Sequence, residues 1–146
     1  MEDINHTIHN LIEQYGEEGD FTGSVSSVAI KQAEELIDTQ FSPEYRWFIE
    51  KYGSGGVLGI DIIGIGKNNS YVVSKITRRL REQFNLPNNL IVIEDCDAFY
   101  YCLNTDDSKV YFWDKIDEMG EIVALDFLSF LEERINDMRG IFYWYV

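Results

Sequence analysis

The chain has 146 residues, of which 45% are hydrophobic and 14% are aromatic. This composition excludes an intrinsically disordered chain and predicts a single domain over residues 1–146. The formal net charge is −14, from 12 basic and 26 acidic residues. Such a charge repels phosphate backbones and anionic lipids, so nucleic-acid and membrane partners are not expected, whereas a basic partner is favoured.

The N-terminal residues and the cysteines predict a cytoplasmic protein. Met1 to Asn5 has neither a basic start nor a following apolar run, which argues against a signal peptide. No stretch of the sequence contains the roughly 18 apolar residues that a membrane span needs. The two cysteines, Cys96 and Cys102, are too few for a disulfide framework and are expected to be reduced.

Charge is distributed unevenly along the chain. Residues 62–93 contain five bases and one acid, whereas residues 1–61 and residues 94–146 each carry a net charge of −9. Two explanations stay open for this basic segment. It either folds back against the acidic segments and partly neutralises them, or it forms a site for an anion.

In chain order, the first three predicted elements are helices, because apolar residues recur at helical spacing. The first predicted helix ends before Gly16, and Ser26 or Ser27 can cap the second. Ser42 and Pro43 form a strong start for the third, since a hydroxyl cap precedes a proline whose missing N–H costs nothing there. The predicted helices cover residues 4–15, 25–37 and 43–52.

The remaining elements are mainly strands. β-branched and aromatic residues predict strands over 57–65, 90–93, 98–103 and 110–113, with the last two forming a hairpin. Helices are predicted over 70–84 and 124–138, and Gly140 is expected to end the second. This order predicts an α+β fold with a central antiparallel or mixed β-sheet, flanked by N-terminal and C-terminal helices.

Sequence motifs of common enzymes are incomplete. Gly66-Lys67 is followed by Asn68 where a phosphate-binding loop needs serine or threonine, and no Gly-x-Ser-x-Gly is present. His6 and His9, with Glu13, can share a helix face as metal ligands, but exposure of three polar residues to solvent is the favoured explanation. We therefore expect a non-enzymatic protein with no catalytic residue, cofactor or metal site.

Two further segments attract attention. The acidic run from Glu94 to Asp97 suits a divalent cation, acid–base chemistry, a solvated turn or a surface for a basic partner, and a turn that adds negative surface is favoured. The aromatic segment 141–146 is expected to pack back on the sheet, or else to form an association site. The oligomeric state stays open between a monomer and a homodimer.

The order of these motifs resembles the SUKH superfamily of Smi/Knr type. The resemblance covers roughly residues 25–139, and its most specific part is the tyrosine- and phenylalanine-containing helix that ends in Tyr52-Gly53. The sequence departs from the family pattern at Ser42, where the proline comes one place later, and at Asp126, where serine is common. The residues that carry the resemblance are Ile30, Ala33, Glu34, Leu36, Phe41, Pro43, Tyr45, Phe48, Ile49, Tyr52, Gly53, Gly55, Gly56, Val92, Ile93, Glu94, Asp95, Asp97, Tyr100, Cys102, Leu103, Val110, Trp113, Asp114, Ala124, Phe127, Phe130 and Leu131.

The resemblance implies one of two binding functions, because the family contains bacterial toxin-immunity proteins and fungal cell-wall-synthesis regulators. The first is neutralisation of a basic toxin domain, such as a nuclease, through an acidic surface. The alternative is an intracellular scaffold or regulator, and a small hydrolase or metal-binding enzyme is a weaker third. For the first function, the predicted partner-binding residues are Glu94, Asp95, Asp97, Tyr100, Asp106, Asp107 and Tyr111.

Overall fold

The structure is a computed structural model that describes residues 3–145, with side chains for residues 3–118 and 120–140. Three helices open the chain: α1 (Ile4–Tyr15), α2 (Ser27–Leu36) and α3 (Pro43–Tyr52). Ser26 Oγ accepts a hydrogen bond from the backbone N–H of Ala29 at 3.2 Å, and Ser42 Oγ accepts one from that of Tyr45 at 3.3 Å. The serine caps predicted for α2 and α3 are thus confirmed, and α2 begins at Ser27 and not at residue 25.

A strand predicted over residues 57–65 is not present. The chain there forms an irregular glycine-rich loop, with isolated bridges from Gly55 to Phe21 and to Ile62. Gly53, which begins this loop, has a φ of 75°, and a Cβ on it would lie 2.4 Å from the carbonyl oxygen of Gly23. The apolar side chains that suggested a strand are buried, but the backbone forms hydrogen bonds to several different segments, such as Ile62 to Gly55 and Ile63 to Ile93, and not to one partner strand.

The second half forms one antiparallel sheet in the order β1-β2-β3-β4. The predicted strands at residues 90–93, 98–103 and 110–113 are confirmed, including the β2–β3 hairpin. The last strand of the sheet, over residues 118–124, was not predicted. The elements are α4 (Val72–Phe84), β1 (Leu90–Asp95), β2 (Tyr100–Asn104), β3 (Val110–Asp114), β4 (Glu118–Ala124) and α5 (Phe127–Tyr145).

Helix α5 is longer than the sequence pattern predicts. Gly140 lies within it, so the prediction that this glycine ends the helix is wrong. A glycine inside a helix costs only about 1 kcal/mol, which neighbouring helical residues can offset. The helix continues through residues 141–145, whose side chains lie outside the described ones, so the packing predicted for the aromatic segment 141–146 stays a prediction.

Helices cover the sheet and form the core with it, which confirms the α+β class. Thr77 of α4 accepts a hydrogen bond from the backbone N–H of Val92 in β1 at 3.1 Å. Phe130 of α5 packs edge-on against Tyr101 of β2, with ring centroids 5.0 Å apart. None of the helices in the described part of the chain has both the length and the apolarity needed to cross a bilayer.

Candidate functional site

The seven predicted partner-binding residues lie at opposite ends of the sheet. Glu94, Asp95, Asp97 and Tyr100 belong to the end where β1 turns into β2, whereas Asp106, Asp107 and Tyr111 belong to the end where β2 turns into β3. Strand β2 separates the two groups, and its four residue steps span about 13 Å. A single small contact therefore does not include all seven residues.

Glu94 is a buried structural residue rather than a surface one. Only 4% of it is exposed. The Nε and Nη2 atoms of Arg134 in α5 donate hydrogen bonds to its two carboxylate oxygens, at 2.9 and 2.6 Å. These hydrogen bonds raise the pKa of Arg134, against the opposing effect of burial. The Glu94–Arg134 ion pair fixes α5 to β1 and leaves Glu94 with no free carboxylate oxygen for a partner.

Tyr100 is also withdrawn from the surface. It is 3% exposed and packs against the buried Trp113, with ring centroids 5.8 Å apart. Lys115 lies near the same residue, with its Nζ 5.8 Å from the Tyr100 ring and 4.5 Å from the Phe84 ring. The Tyr100 side chain therefore lies on the face of the sheet that carries α4, and it is not accessible to a partner.

Asp95 and Asp97 are exposed and form the turn that follows β1. The backbone N–H of Asp97 donates a hydrogen bond to Asp95 Oδ1 at 2.9 Å, and Asp97 has a φ of 71°. Aspartate tolerates this left-handed conformation and stabilises turns in this way. The structure thus shows the solvated turn that was one of the alternatives, with two carboxylates presented to solvent.

The opposite end of the sheet uses its carboxylates locally. Asn89 Nδ2 donates a hydrogen bond to Asp106 Oδ2 at 3.0 Å, and the Tyr111 hydroxyl donates one to Asp107 Oδ2. Slight burial acts to raise the pKa of Asp107, but the bonds from Tyr111 and the Lys109 N–H outweigh it, and the pKa is lowered. The same hydrogen bond raises the pKa of Tyr111. This end is a stabilised turn that still exposes negative charge.

Three further carboxylates, which the sequence analysis did not select, join Asp95 and Asp97 at their end of the sheet. The strand register pairs Asp95 with Tyr100, Tyr100 with Trp113, and Asp114 with Glu118, so the β1–β2 and β3–β4 turns are neighbours. The sequence did not show this group, because it depends on the pairing of β3 with β4, and β4 was not predicted. We call the group the acidic end; it consists of Asp95, Asp97, Asp114, Asp117 and Glu118.

The acidic end is not neutralised by the described part of the chain. Four ion pairs lie within 4.0 Å among the described side chains, and none involves these five carboxylates. Asp114 Oδ1 accepts hydrogen bonds from the backbone N–H groups of Ile116 at 2.8 Å and Asp117 at 2.6 Å, which fixes the turn. Across three strand spacings the acidic end extends about 14 Å, the size of a small protein contact.

The basic segment does not fold against the acidic ones through ion pairs between described residues. On α4, Lys75 and Arg79 are exposed, and Arg78 pairs only with Glu82 of the same helix at 3.7 Å. Arg81 instead donates hydrogen bonds from Nη1 to the Ile37 carbonyl oxygen at 2.7 Å and from Nη2 to that of Asn88. Arg81 of the segment therefore has a structural role, whereas Lys75, Arg78 and Arg79 are exposed on α4.

No group of three or more histidine, cysteine, aspartate or glutamate residues among the described side chains is arranged to hold a metal ion. His9 Nδ1 is hydrogen-bonded to the Tyr52 hydroxyl at 2.9 Å, and His9 Nε2 lies 3.8 Å from Glu13. Burial raises the pKa of the Cys96 thiol to about 11, so this cysteine is a poor nucleophile near neutral pH. The candidate functional surface is therefore a charged one, the acidic end.

A comparison with protein families tests the resemblance noted in the sequence. The family model described as SMI1-KNR4 cell-wall, SUKH_5, matches residues 8–136. This match begins in α1, ends within α5 and includes all four strands with the acidic end between them. The chain therefore belongs to the SMI1-KNR4 family of the SUKH superfamily.

Proposed function

We propose that this protein is a non-enzymatic immunity-type protein that binds a basic toxin domain and blocks its active site. The observation that carries the proposal is the acidic end, whose five carboxylates have no cationic partner among the described side chains. The toxin class that suits this surface is a nuclease or another enzyme that modifies nucleic acid. Such an enzyme needs a basic groove to bind its substrate.

The electrostatic mechanism follows from where the charge sits. Two neighbouring turns present carboxylates over a distance comparable to several phosphates of a nucleic acid, so the acidic end can occupy the place of the substrate. Complementary charge also speeds encounter, with association rates that fall steeply as salt rises. The remaining acidic residues of a chain with a net charge of −14 add to this long-range attraction.

The acidic end is held in place before a partner arrives. Hydrogen bonds to Asp95 and Asp114 fix the two turns, and the Glu94–Arg134 ion pair lies directly beside them in β1. A rigid surface loses little conformational entropy on binding, which favours affinity. The arrangement supports recognition of a protein surface without any chemical step by this chain.

The alternative function is an intracellular scaffold or regulator of host proteins. The observation that favours it is the description of the family itself, SMI1-KNR4 cell-wall. The two functions differ in their partner, since only the first requires a toxin. Growth rescue therefore separates them.

The test is co-expression with the product of the neighbouring gene in a bacterial host, scored by growth rescue and by co-purification. Three exposed carboxylates of the acidic end are neutralised together, as Asp97→Asn, Asp117→Asn and Glu118→Gln. The matched control removes the same charge elsewhere, as Glu18→Gln, Glu35→Gln and Glu50→Gln. Both sets change the net charge equally, so only the position of the charge differs.

We expect the acidic-end variant to slow association with the toxin domain about tenfold at low salt and the control to slow it less than twofold. Equal slowing by both variants would contradict the assigned position of the interface. If the unmodified protein neither rescues growth nor co-purifies with the neighbouring gene product, the immunity function is contradicted and the scaffold function is left.

A further inference from the structure

An open aromatic groove lies beside the acidic end, on the face of the sheet that carries α5. The groove has a volume of about 510 Å³ and is lined by Tyr101, Phe112, Gly120, Glu121, Ile122 and Val123. The Phe112 ring is stacked on that of Phe99 with centroids 4.8 Å apart, and Phe99 meets Tyr101 edge-on at 5.3 Å. Half-buried aromatic rings of this kind are typical of the centres of protein interfaces.

The backbone of β4 shapes the groove. Tyr111 pairs with Ile122 and Trp113 pairs with Met119, so two residues of β4 lie opposite the single residue Phe112. One of these is Gly120, where a Cβ would lie 2.7 Å from Phe112 Cδ1. The glycine lets the Phe112 ring lie close against the neighbouring strand, and the bulge interrupts the strand pairing at this point.

The rim of this groove is acidic. Glu121 lines it directly, and Asp114 shares the face of Phe112 because the two residues are two apart in β3. Asp114 is also paired across the strands with Glu118, a like-charge arrangement that is unfavourable until a cation approaches. Lys115 extends to the opposite face, where its Nζ lies 4.5 Å from the Phe84 ring, and the Arg134 guanidinium, 5.6 Å from the Tyr101 ring, is held by Glu94.

We propose that the aromatic groove is the anchor pocket of the interface and that it takes an aliphatic or aromatic side chain flanked by lysine or arginine residues. The apolar floor receives the anchor, and the acidic rim receives the flanking cations, which can also lie over the aromatic faces. This inference rests on the proposed function, since the anchor belongs to the same basic partner.

Two other occupants fit the groove less well. A second copy of the chain in a two-fold dimer would place the acidic rim of each protomer against that of the other, because such an interface uses the same patch twice. An added β-strand at the edge of β4 would meet its two register shifts, and bulges of this kind disrupt strand pairing. A partner with basic residues beside its anchor avoids both difficulties.

The probe is the hexapeptide Arg-Lys-Leu-Phe-Lys-Arg, titrated into the isotope-labelled protein and followed by NMR chemical shifts. Two control peptides separate the contributions: Arg-Lys-Gly-Ser-Lys-Arg keeps the charge without the anchor, and Glu-Glu-Leu-Phe-Glu-Glu keeps the anchor with the opposite charge. We expect the largest shift changes at residues 99–101, 112 and 120–123. We expect binding at least tenfold weaker for each control peptide.

Two variants of groove residues test the pocket, so the test holds even if one of the two fails to fold. Phe112→Ala removes the ring, and Ile122→Ser changes a side chain that is 49% exposed, with little demand on folding. Val28→Ser, at a residue 74% exposed on α2, is the matched control. Both groove variants should weaken hexapeptide binding about tenfold or more, and the control should change it less than twofold.

The outcomes separate this inference from the function on which it rests. Shift changes confined to the acidic turns, or equal binding of the peptide without an anchor, would overturn the groove assignment and leave the immunity function standing. A dimer that the groove variants dissociate would assign the groove to a second copy and also overturn the inference. If the neighbouring gene product does not bind but the hexapeptide does bind the groove, the immunity function fails and the anchor pocket stands.

Discussion

Among the side chains that the structure describes, Arg134 is the only cation within 4.0 Å of the buried Glu94 carboxylate, and Arg134→Met removes it. The side chain of Glu94 is 5% exposed, and both its oxygens accept hydrogen bonds from Arg134. Breaking a buried ion pair from one side costs about 3–5 kcal/mol, because the remaining charge stays desolvated. The lost cation–π contact with Tyr101, now at 5.6 Å, adds about 0.5–1 kcal/mol.

Companion variants show whether this cost comes from the stranded charge. Glu94→Gln should cost only about 1–3 kcal/mol, because the side chain of Arg134 is 22% exposed and can reach water. The double variant should be more stable than Arg134→Met alone, since it leaves no unpaired buried charge. Arg78→Met is the matched control: its ion pair with Glu82 is on the surface and contributes less than about 0.5 kcal/mol.

Urea unfolding followed by tryptophan fluorescence measures these differences, provided the denaturant slope stays constant across the variants. A loss of this size is a large part of the 5–15 kcal/mol that typically stabilises a domain, so the midpoint should shift clearly. The reasoning is refuted if Arg134→Met is as stable as Arg78→Met. It is also refuted if the double variant is no more stable than Arg134→Met.

Three other predictions concern Tyr45, Gly120 and Cys96. Tyr45→Phe should lower the free energy of unfolding by about 1–2 kcal/mol in urea, because the buried hydroxyl donates to the Ile63 carbonyl oxygen at 2.6 Å; an unchanged midpoint would contradict this. Gly120→Ala should cost about 1 kcal/mol and weaken hexapeptide binding, because the new methyl displaces Phe112, and unchanged peptide affinity would argue against the groove. Burial raises the pKa of Cys96 to about 11, so its reaction with a disulfide reagent should accelerate about tenfold per pH unit between pH 8 and 10. Because the unfolded thiol ionises near pH 8.5, ionisation favours the unfolded chain, and stability should fall as pH rises from about 8.5 through 11.

Local signals explain which elements were predictable. The start of α3 depends on Ser42 and Pro43, which act through bonds within one helical turn, so the prediction was correct. The loop over residues 57–65 has the apolar composition of a strand, but its backbone hydrogen bonds go to several distant segments instead of one partner strand, and the sequence does not show these partners. Strand β4 lacks clear alternation, since it contains Gly120, two glutamates and register shifts, and it was missed for that reason.

The candidate site shows the same division between local and distant information. The turn chemistry of Asp95 and Asp97 was visible in the sequence, because their hydrogen bonds join residues two apart. The burial of Glu94 was not visible in the sequence, because its ion-pair partner, Arg134, lies 40 residues away. The sequence showed that the acids exist, whereas their grouping into the acidic end depends on the strand register.

The two turns that carry the acidic end lie outside the hydrophobic core. Their hydrogen bonds are local, and their exposed side chains can change with small effects on the free energy of unfolding. The proposed binding surface is therefore separate from the residues that stabilise the fold, and the scaffold is suited to retargeting. Libraries built on the exposed residues Ala98, Ile116 and Asp117, with the turn-fixing Asp95 and Asp114 kept, should yield binders of new specificity that keep the thermal stability of the parent protein.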